Sequence, residues 1–423
     1  MHAQLPRGAR LYLPDEAARK RHVESRLFDV FRRWGYREIV TPTFEYADVL
    51  ARGTDLGVQE NMFKLVDRET GRMLALRADI TPQIARIVAT RLRDEPKPLR
   101  LGYVTSVFRY DEPQVSHYRE FFQAGVELIG LEKPEAEAEV IAMAVEGLRA
   151  LGLDRFQLDL GHPDFFRGLL EEIKADTTRQ QELREALARK DVSTLERVVG
   201  EIAPPAHVGD ALCALPTLFG HAGVLEQAAG HARNERSARA LANLSEVYRL
   251  LTIYGLADDV LLDLGEVRGF DYYSGTYFEA YVSGFGASVA GGGRYDHMLG
   301  RFGYECAAVG FAFAVARVLA VLEAHDDVHV RRDDVDDLAL ALVPPLRADY
   351  HDVRHDSSPS RLWPLGNAAP DTPARPARPA YAPRPRPGPA PEADRPWFSG
   401  CPRPGRGAPA GCARRPASRR ARG

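Results

Sequence analysis

Two extended segments flanking one polar turn constrain this chain more than any other feature. Residues 99–130 read as strand, turn and strand, with YDEPQVSH at 110–117 between two runs rich in Val, Phe and Tyr. Under the period of two that a strand imposes, the second run sorts cleanly. Arg119, Phe121, Gln123, Gly125 and Glu127 share one face, and Glu120, Phe122, Ala124, Val126 and Leu128 share the other. The second face is that of a core. The first carries an amide and a carboxylate with a glycine leaving room between them, which suits a small polar ligand; a solvated sheet face would have the same composition. Arg109 ends the first strand, where a guanidinium either grips a carboxylate or phosphate in bidentate fashion or forms a surface salt bridge.

Other elements assemble around this pair. Val23, Leu27, Val30 and Trp34 recur at helical spacing and predict an amphipathic helix over 15–34, with Asp15 as N-cap. REIVTPTFE follows as a β-rich segment, and its Pro42, lacking an N–H, belongs at a sheet edge or an interface. Residues 261–296 read as further strands interrupted by glycines, so antiparallel pairing is expected. Residues 164–254 have helical periodicity, as in SARALANLSEVYRLL, with a break at the prolines of 203–206. From about Ser357 the chain turns to Pro, Arg, Ala and Gly without lysine, a composition that cannot offset ordering entropy and predicts disorder. Just before it, DDLALALVPPL reads as a last strand.

Composition narrows the function. From His351 onward there are 14 arginines and 5 acids; the totals of 56 and 59 leave 42 bases and 54 acids for residues 1–350. An acidic body repels phosphate backbones, so no nucleic-acid partner is expected. No apolar run reaches the roughly 20 residues that span a bilayer, so no membrane association is expected either. The start, MHAQLPRGAR, has no apolar stretch behind its arginines, and a cytoplasmic location follows as the expectation. Cys213, Cys306, Cys401 and Cys412 lack C-x-x-C spacing, so neither a metal nor a disulfide is expected.

Two more segments carry chemistry. In RADITPQ (77–83), Asp79 and Thr81 precede an apolar-patterned helix over 84–92; they are site residues, ordinary caps with Pro82 in the first turn, or both. VRGFDYYSG (267–275) and GGGRYD (291–296) combine glycines that allow close backbone approach with tyrosines that form flat walls with polar tips, together a pocket for a planar side chain. The glycines lack the spacing of a dinucleotide or Walker loop.

Taken together, these segments resemble histidyl-tRNA synthetase and its paralogue, the regulatory subunit of ATP phosphoribosyltransferase, over about three quarters of the chain. The helix into IVTPTFE resembles class II motif 1, SVFRYDEPQVSHYREFFQAGVELIG motif 2, and AAVGFAFAVARVL motif 3; RGFDYYSGTYFE and GGGRYD resemble the two histidine signatures. The resemblance implies an α+β class II aminoacyl-tRNA synthetase-like core: an antiparallel sheet of six or seven strands flanked by helices, a helical insertion, and a homodimer built on motif 1. It divides the chain into core (1–163), insertion (164–254), core (255–322), the remnant of an appended domain (323–356) and the tail (357–423). It also implies that Asp79, Thr81, Gln123 and Glu127 hold the amino-acid end of histidine. Arg268, Tyr272, Tyr273 and Tyr295 then surround its carboxylate and imidazole, and Arg109 and Arg317 match the ATP-site arginines.

Departures separate the two paralogues. The motif 2 loop, basic in the synthetase, carries Asp111, Glu112 and His117 here; Ala316 replaces the acid before the motif 3 arginine; and the residues where an anticodon-binding domain would follow are sufficient in number but wrong in kind, so none is expected. Adenylation needs cations on the triphosphate. The resemblance therefore implies a regulatory subunit without catalytic residues or cofactor, partnered by a short-form ATP phosphoribosyltransferase catalytic subunit in a hetero-oligomer, with histidine as effector. A histidine–tRNA ligase is the alternative reading.

Overall fold

A computed structural model describes residues 4–54, 56–110, 118–267, 269–270 and 272–331. The motif 2 loop, Arg268, the segment 332–356 and the tail lie outside the described residues.

Nine strands form one sheet, in the order Arg37–Glu38, Leu99–Phe108, Glu120–Ile129, Ala308–Ala314, Ser288–Arg294, Tyr277–Val282, Phe156–Gly161, Val260–Asp263 and Phe219–Gly220. The central pairings are antiparallel, as the hairpin requires. Two pairings toward the edges are parallel: Arg37 with Leu101, and Leu158 with Val260. The sheet is therefore mixed and wider than the six or seven antiparallel strands expected, because short segments after the first helix and within the insertion add to its edges. A separate three-stranded sheet joins Phe44–Tyr46, Met73–Leu76 and Lys64–Val66.

One face of the large sheet is covered by helices Pro14–Arg33, Pro134–Ala150 and Val315–Arg331. Val23, Leu27, Val30 and Phe31 from the first helix meet Ala124, Val126 and Leu128, the face assigned to the core. Truncating a fully buried leucine such as Leu27 to Ala costs about 2–5 kcal/mol. That helix starts one residue before Asp15: Pro14 occupies the first turn, Leu13 is the cap residue, and the Glu16 carboxylate accepts the Leu13 N–H at 2.9 Å. The opposite face carries helix Thr81–Arg91, whose Ile84 and Val88 pack on Leu99, Leu101 and Val107. This helix covers part of that face, and the remainder forms the floor of a cavity. Pro42 lies exposed between two strands, its carbonyl accepting from Gln83 Nε2 at 3.0 Å.

The insertion packs helices Pro163–Glu171, Thr177–Ala188, Val192–Ile202, Ala206–Ala214, Gly223–Ala229 and Glu235–Ile253 around Phe165, Phe166 and Leu169. Core and insertion meet near a buried ion pair, Arg294 Nη2 to Glu137 at 2.9 Å. Among the described residues no helix is long and apolar enough to cross a membrane.

Candidate functional site

The hairpin register sets the floor of the cavity. Leu101, Tyr103 and Thr105 stand opposite Glu127, Gly125 and Gln123, and on the other side Gly310, Ala312 and Ala314 stand opposite the same three. The row continues from Gly310 to Gly293 and on to Tyr277. Small residues thus surround the polar ones. The reason is steric: a Cβ on Gly310 would overlap the Glu127 carboxylate, and one on Gly125 would come within 2.6 Å of the Tyr103 hydroxyl.

Glu127 is 1% exposed. It accepts the Thr81 hydroxyl at 2.8 Å on Oε1 and the Tyr295 hydroxyl on Oε2. Burial outweighs these two hydrogen bonds and, with the Asp79 charge nearby, pushes its carboxyl up to about 8. The hydroxyl of Thr81 therefore serves the cavity and caps nothing; the residue before it, Ile80, is the cap position and has no side-chain bond. Asp79 does the local work, its Oδ1 accepting the Ile80 N–H at 2.7 Å.

A cavity of about 290 Å³ opens over this floor, the size of one small ligand. Asp79, Thr81, Gln123 and Glu127 line it together with Tyr272, Tyr273, Tyr295 and Arg109. Gln123 Oε1 is buried with no hydrogen-bond partner among the described residues, an acceptor that a ligand N–H would satisfy. Tyr272 and Tyr295 rings lie 5.7 Å apart and tilted, and Tyr273 stacks on Tyr277 at 5.4 Å. Burial raises the phenols of Tyr103, Tyr272, Tyr273 and Tyr295, so they remain neutral hydrogen-bonding groups. The loop bearing two of them is held by Arg167 Nη2, which donates to the Tyr273 carbonyl at 2.9 Å and to the Phe270 carbonyl.

Arg317 is not brought to this cavity. Its Nη1 donates to the Ser288 carbonyl at 2.8 Å. Arg268 lies outside the described residues. Tyr103, Gly53 and Thr54 line the cavity without having been singled out from sequence. Tyr103 had a usable signal, since it shares strand parity with Leu101 and falls opposite Gly125 once the register is counted outward from the turn.

The family model for histidyl-tRNA synthetase matches residues 8–318. The ATP phosphoribosyltransferase regulatory subunit of Geobacter metallireducens is 45% identical over 333 residues, 78% of this chain and 76% of that protein. The regulatory subunit of Moorella thermoacetica is 45% identical over 75% of this chain and 81% of its own length. This chain belongs to the family of ATP phosphoribosyltransferase regulatory subunits, which are histidyl-tRNA synthetase-like proteins. Among solved structures, an ATP phosphoribosyltransferase regulatory subunit/histidyl-tRNA synthetase from Bacillus halodurans superposes with a TM-score of 0.70 at 31% identity, over 79% of this chain and 91% of that one. A histidyl-tRNA synthetase from Nostoc, 21% identical with a TM-score of 0.66 over 77% of this chain and 76% of its own, shares the fold. The regulatory subunit thus has a class II synthetase-like core with a helical insertion, and its cavity sits on the central antiparallel strands of that core.

Proposed function

We propose that this regulatory subunit of ATP phosphoribosyltransferase binds histidine in the Glu127 cavity, activates a short-form catalytic subunit, and conveys histidine feedback to it. The observation that carries the reading is the convergence of Glu127, Asp79, Gln123 and Thr81 at the edge of a tyrosine-walled cavity of amino-acid size. An α-ammonium placed among the two carboxylates and the Gln123 carbonyl satisfies all three, and the tyrosines flank a planar ring. Histidine can inhibit a partner subunit only by binding the inactive assembly more tightly than the active one.

Loss of aminoacylation belongs to the same proposal. Arg317, engaged with the Ser288 carbonyl away from the cavity, leaves Arg109 as the one expected ATP-site arginine among the cavity-lining residues. A homodimer within the hetero-oligomer is supported by exposed apolar side chains around the small sheet, Val40 at 82% and Phe44 at 56% with Leu65, Val66 and Met73 beside them.

Calorimetry against the twenty amino acids and an ATP–pyrophosphate exchange assay test the reading. Selective histidine binding without exchange is the expected result. Robust exchange would establish a ligase instead, and preference for another amino acid would overturn the assignment of histidine as effector.

A further inference from the structure

A second cavity, of about 530 Å³, lies beside the segments that carry the tyrosines. Tyr272, Tyr273 and Tyr295 line the first cavity; their chain neighbours Ser274, Gly275 and Arg294 line the second. The other wall comes from His162 at the end of the first core segment and from Asp164, Arg236 and Arg239 of the insertion. The two cavities share no lining residue.

His162 gives it chemical direction. The residue is 6% exposed, and its Nδ1 accepts the backbone N–H of Asp164 at 3.3 Å. A ring nitrogen that accepts carries no proton, so the neutral imidazole holds its hydrogen on Nε2. Burial keeps the ring neutral by lowering it to about 4. Among the described residues Nε2 has no hydrogen-bond partner, and the side chain lines the cavity. A donor on a largely buried ring that lines the cavity and meets no acceptor among the described residues offers a place for a ligand oxygen.

Charge beside it points the same way. Arg236 pairs with Asp164 at 2.7 Å and with Glu171, and Arg167 pairs with Asp164 at 2.7 Å, so two guanidiniums together offset those two acids. Arg239 follows on the same helix, and its ion pair is an exposed one to Glu235 at 3.4 Å. Such a pair is worth little and yields readily to a better acceptor. Glu132 is exposed on the cavity lining, and so is His297.

We propose that this second cavity binds a small molecule bearing a phosphate or carboxylate group, whose oxygens accept from His162 Nε2–H and from Arg239. The test titrates the full chain with inorganic phosphate and, separately, with succinate, at an ionic strength held constant with sodium chloride. Two variants accompany the wild type. Arg239→Gln alters an exposed position, and His162→Asn keeps an acceptor for the Asp164 N–H while withdrawing the Nε2 donor. Saturable binding of either probe, weakened about tenfold by Arg239→Gln, is expected, as for loss of one charge-assisted hydrogen bond. Phosphate alone or succinate alone would each support the site and identify its ligand group. Absence of saturable binding by both, a response that chloride reproduces, or binding unchanged in Arg239→Gln would overturn it. Where His162→Asn unfolds cooperatively like the wild type, it must weaken binding by a similar factor; unchanged binding in that variant also overturns the proposal.

Discussion

Thr81 and Glu127 stand 46 residues apart and meet through a hydroxyl-to-Oε1 hydrogen bond of 2.8 Å. This contact joins the start of helix Thr81–Arg91 to the middle of the central hairpin. It also places an otherwise costly buried carboxyl where a ligand cation can reach it.

The raised carboxyl makes stability pH-dependent with a definite sign. Glu127 titrates at about 8 when folded, against roughly 4.3 in an unfolded chain. Between those values the native state binds more protons than the unfolded state, so this group's contribution to stability falls as pH rises. Melting temperature measured from pH 6 to 9 should decline more steeply for the wild type than for Glu127→Gln. Parallel curves would show that Glu127 does not titrate in this window.

Histidine binding should follow the opposite slope. An ammonium beside Glu127 favours its ionised form, so binding at pH 7 expels a proton. Affinity should rise several-fold from pH 7 to 8, above the titration of the ligand's own imidazole at about 6.5. Glu127→Gln should bind more weakly and lose the pH dependence. Calorimetry in buffers of different ionisation enthalpy reads the proton directly.

Gly310→Ala places a methyl group where the Glu127 carboxylate lies. Overpacking of this kind costs about 1–3 kcal/mol. The variant should melt at a lower temperature and lose histidine affinity, whereas Ala312→Gly, one pleat along the same face, should affect the cavity less.

The Arg294–Glu137 pair should matter to folding more than any surface ion pair. Both side chains are almost wholly buried, at 6% and 1% exposure. Arg294→Ala leaves a buried carboxylate without its cation, a change costing about 3–5 kcal/mol. Denaturant unfolding should register it, and a loss below about 1 kcal/mol would mean that solvent or another cation compensates.

Much of this architecture was legible in the residues, for identifiable reasons. Val23, Leu27 and Val30 announce a buried helix face, and the alternation from Arg119 to Leu128 separates core from cavity because a strand's period is two. The role of Thr81 was undecidable, since a hydroxyl before a helix can cap it or reach away; only the position of Glu127, set by the fold, resolves the choice. Tyr103 is placed only by counting the hairpin register outward from the turn to Gly125, because alternation within either strand alone leaves that register open. The parallel edge pairings of Arg37 and Leu158 join segments with no local turn signal between them, and they are products of packing alone. Asp79, Thr81, Gln123, Glu127 and the three tyrosines do come together around one cavity, while Arg317 stands apart from it.

The most direct measurement is the activity of a short-form ATP phosphoribosyltransferase catalytic subunit reconstituted with this chain and titrated with histidine. The wild type should stimulate the catalytic subunit and confer inhibition by histidine, and Glu127→Gln should stimulate equally while shifting the inhibition curve about tenfold to higher histidine. Failure of the wild-type chain to stimulate, or identical inhibition curves for wild type and variant, would contradict the account.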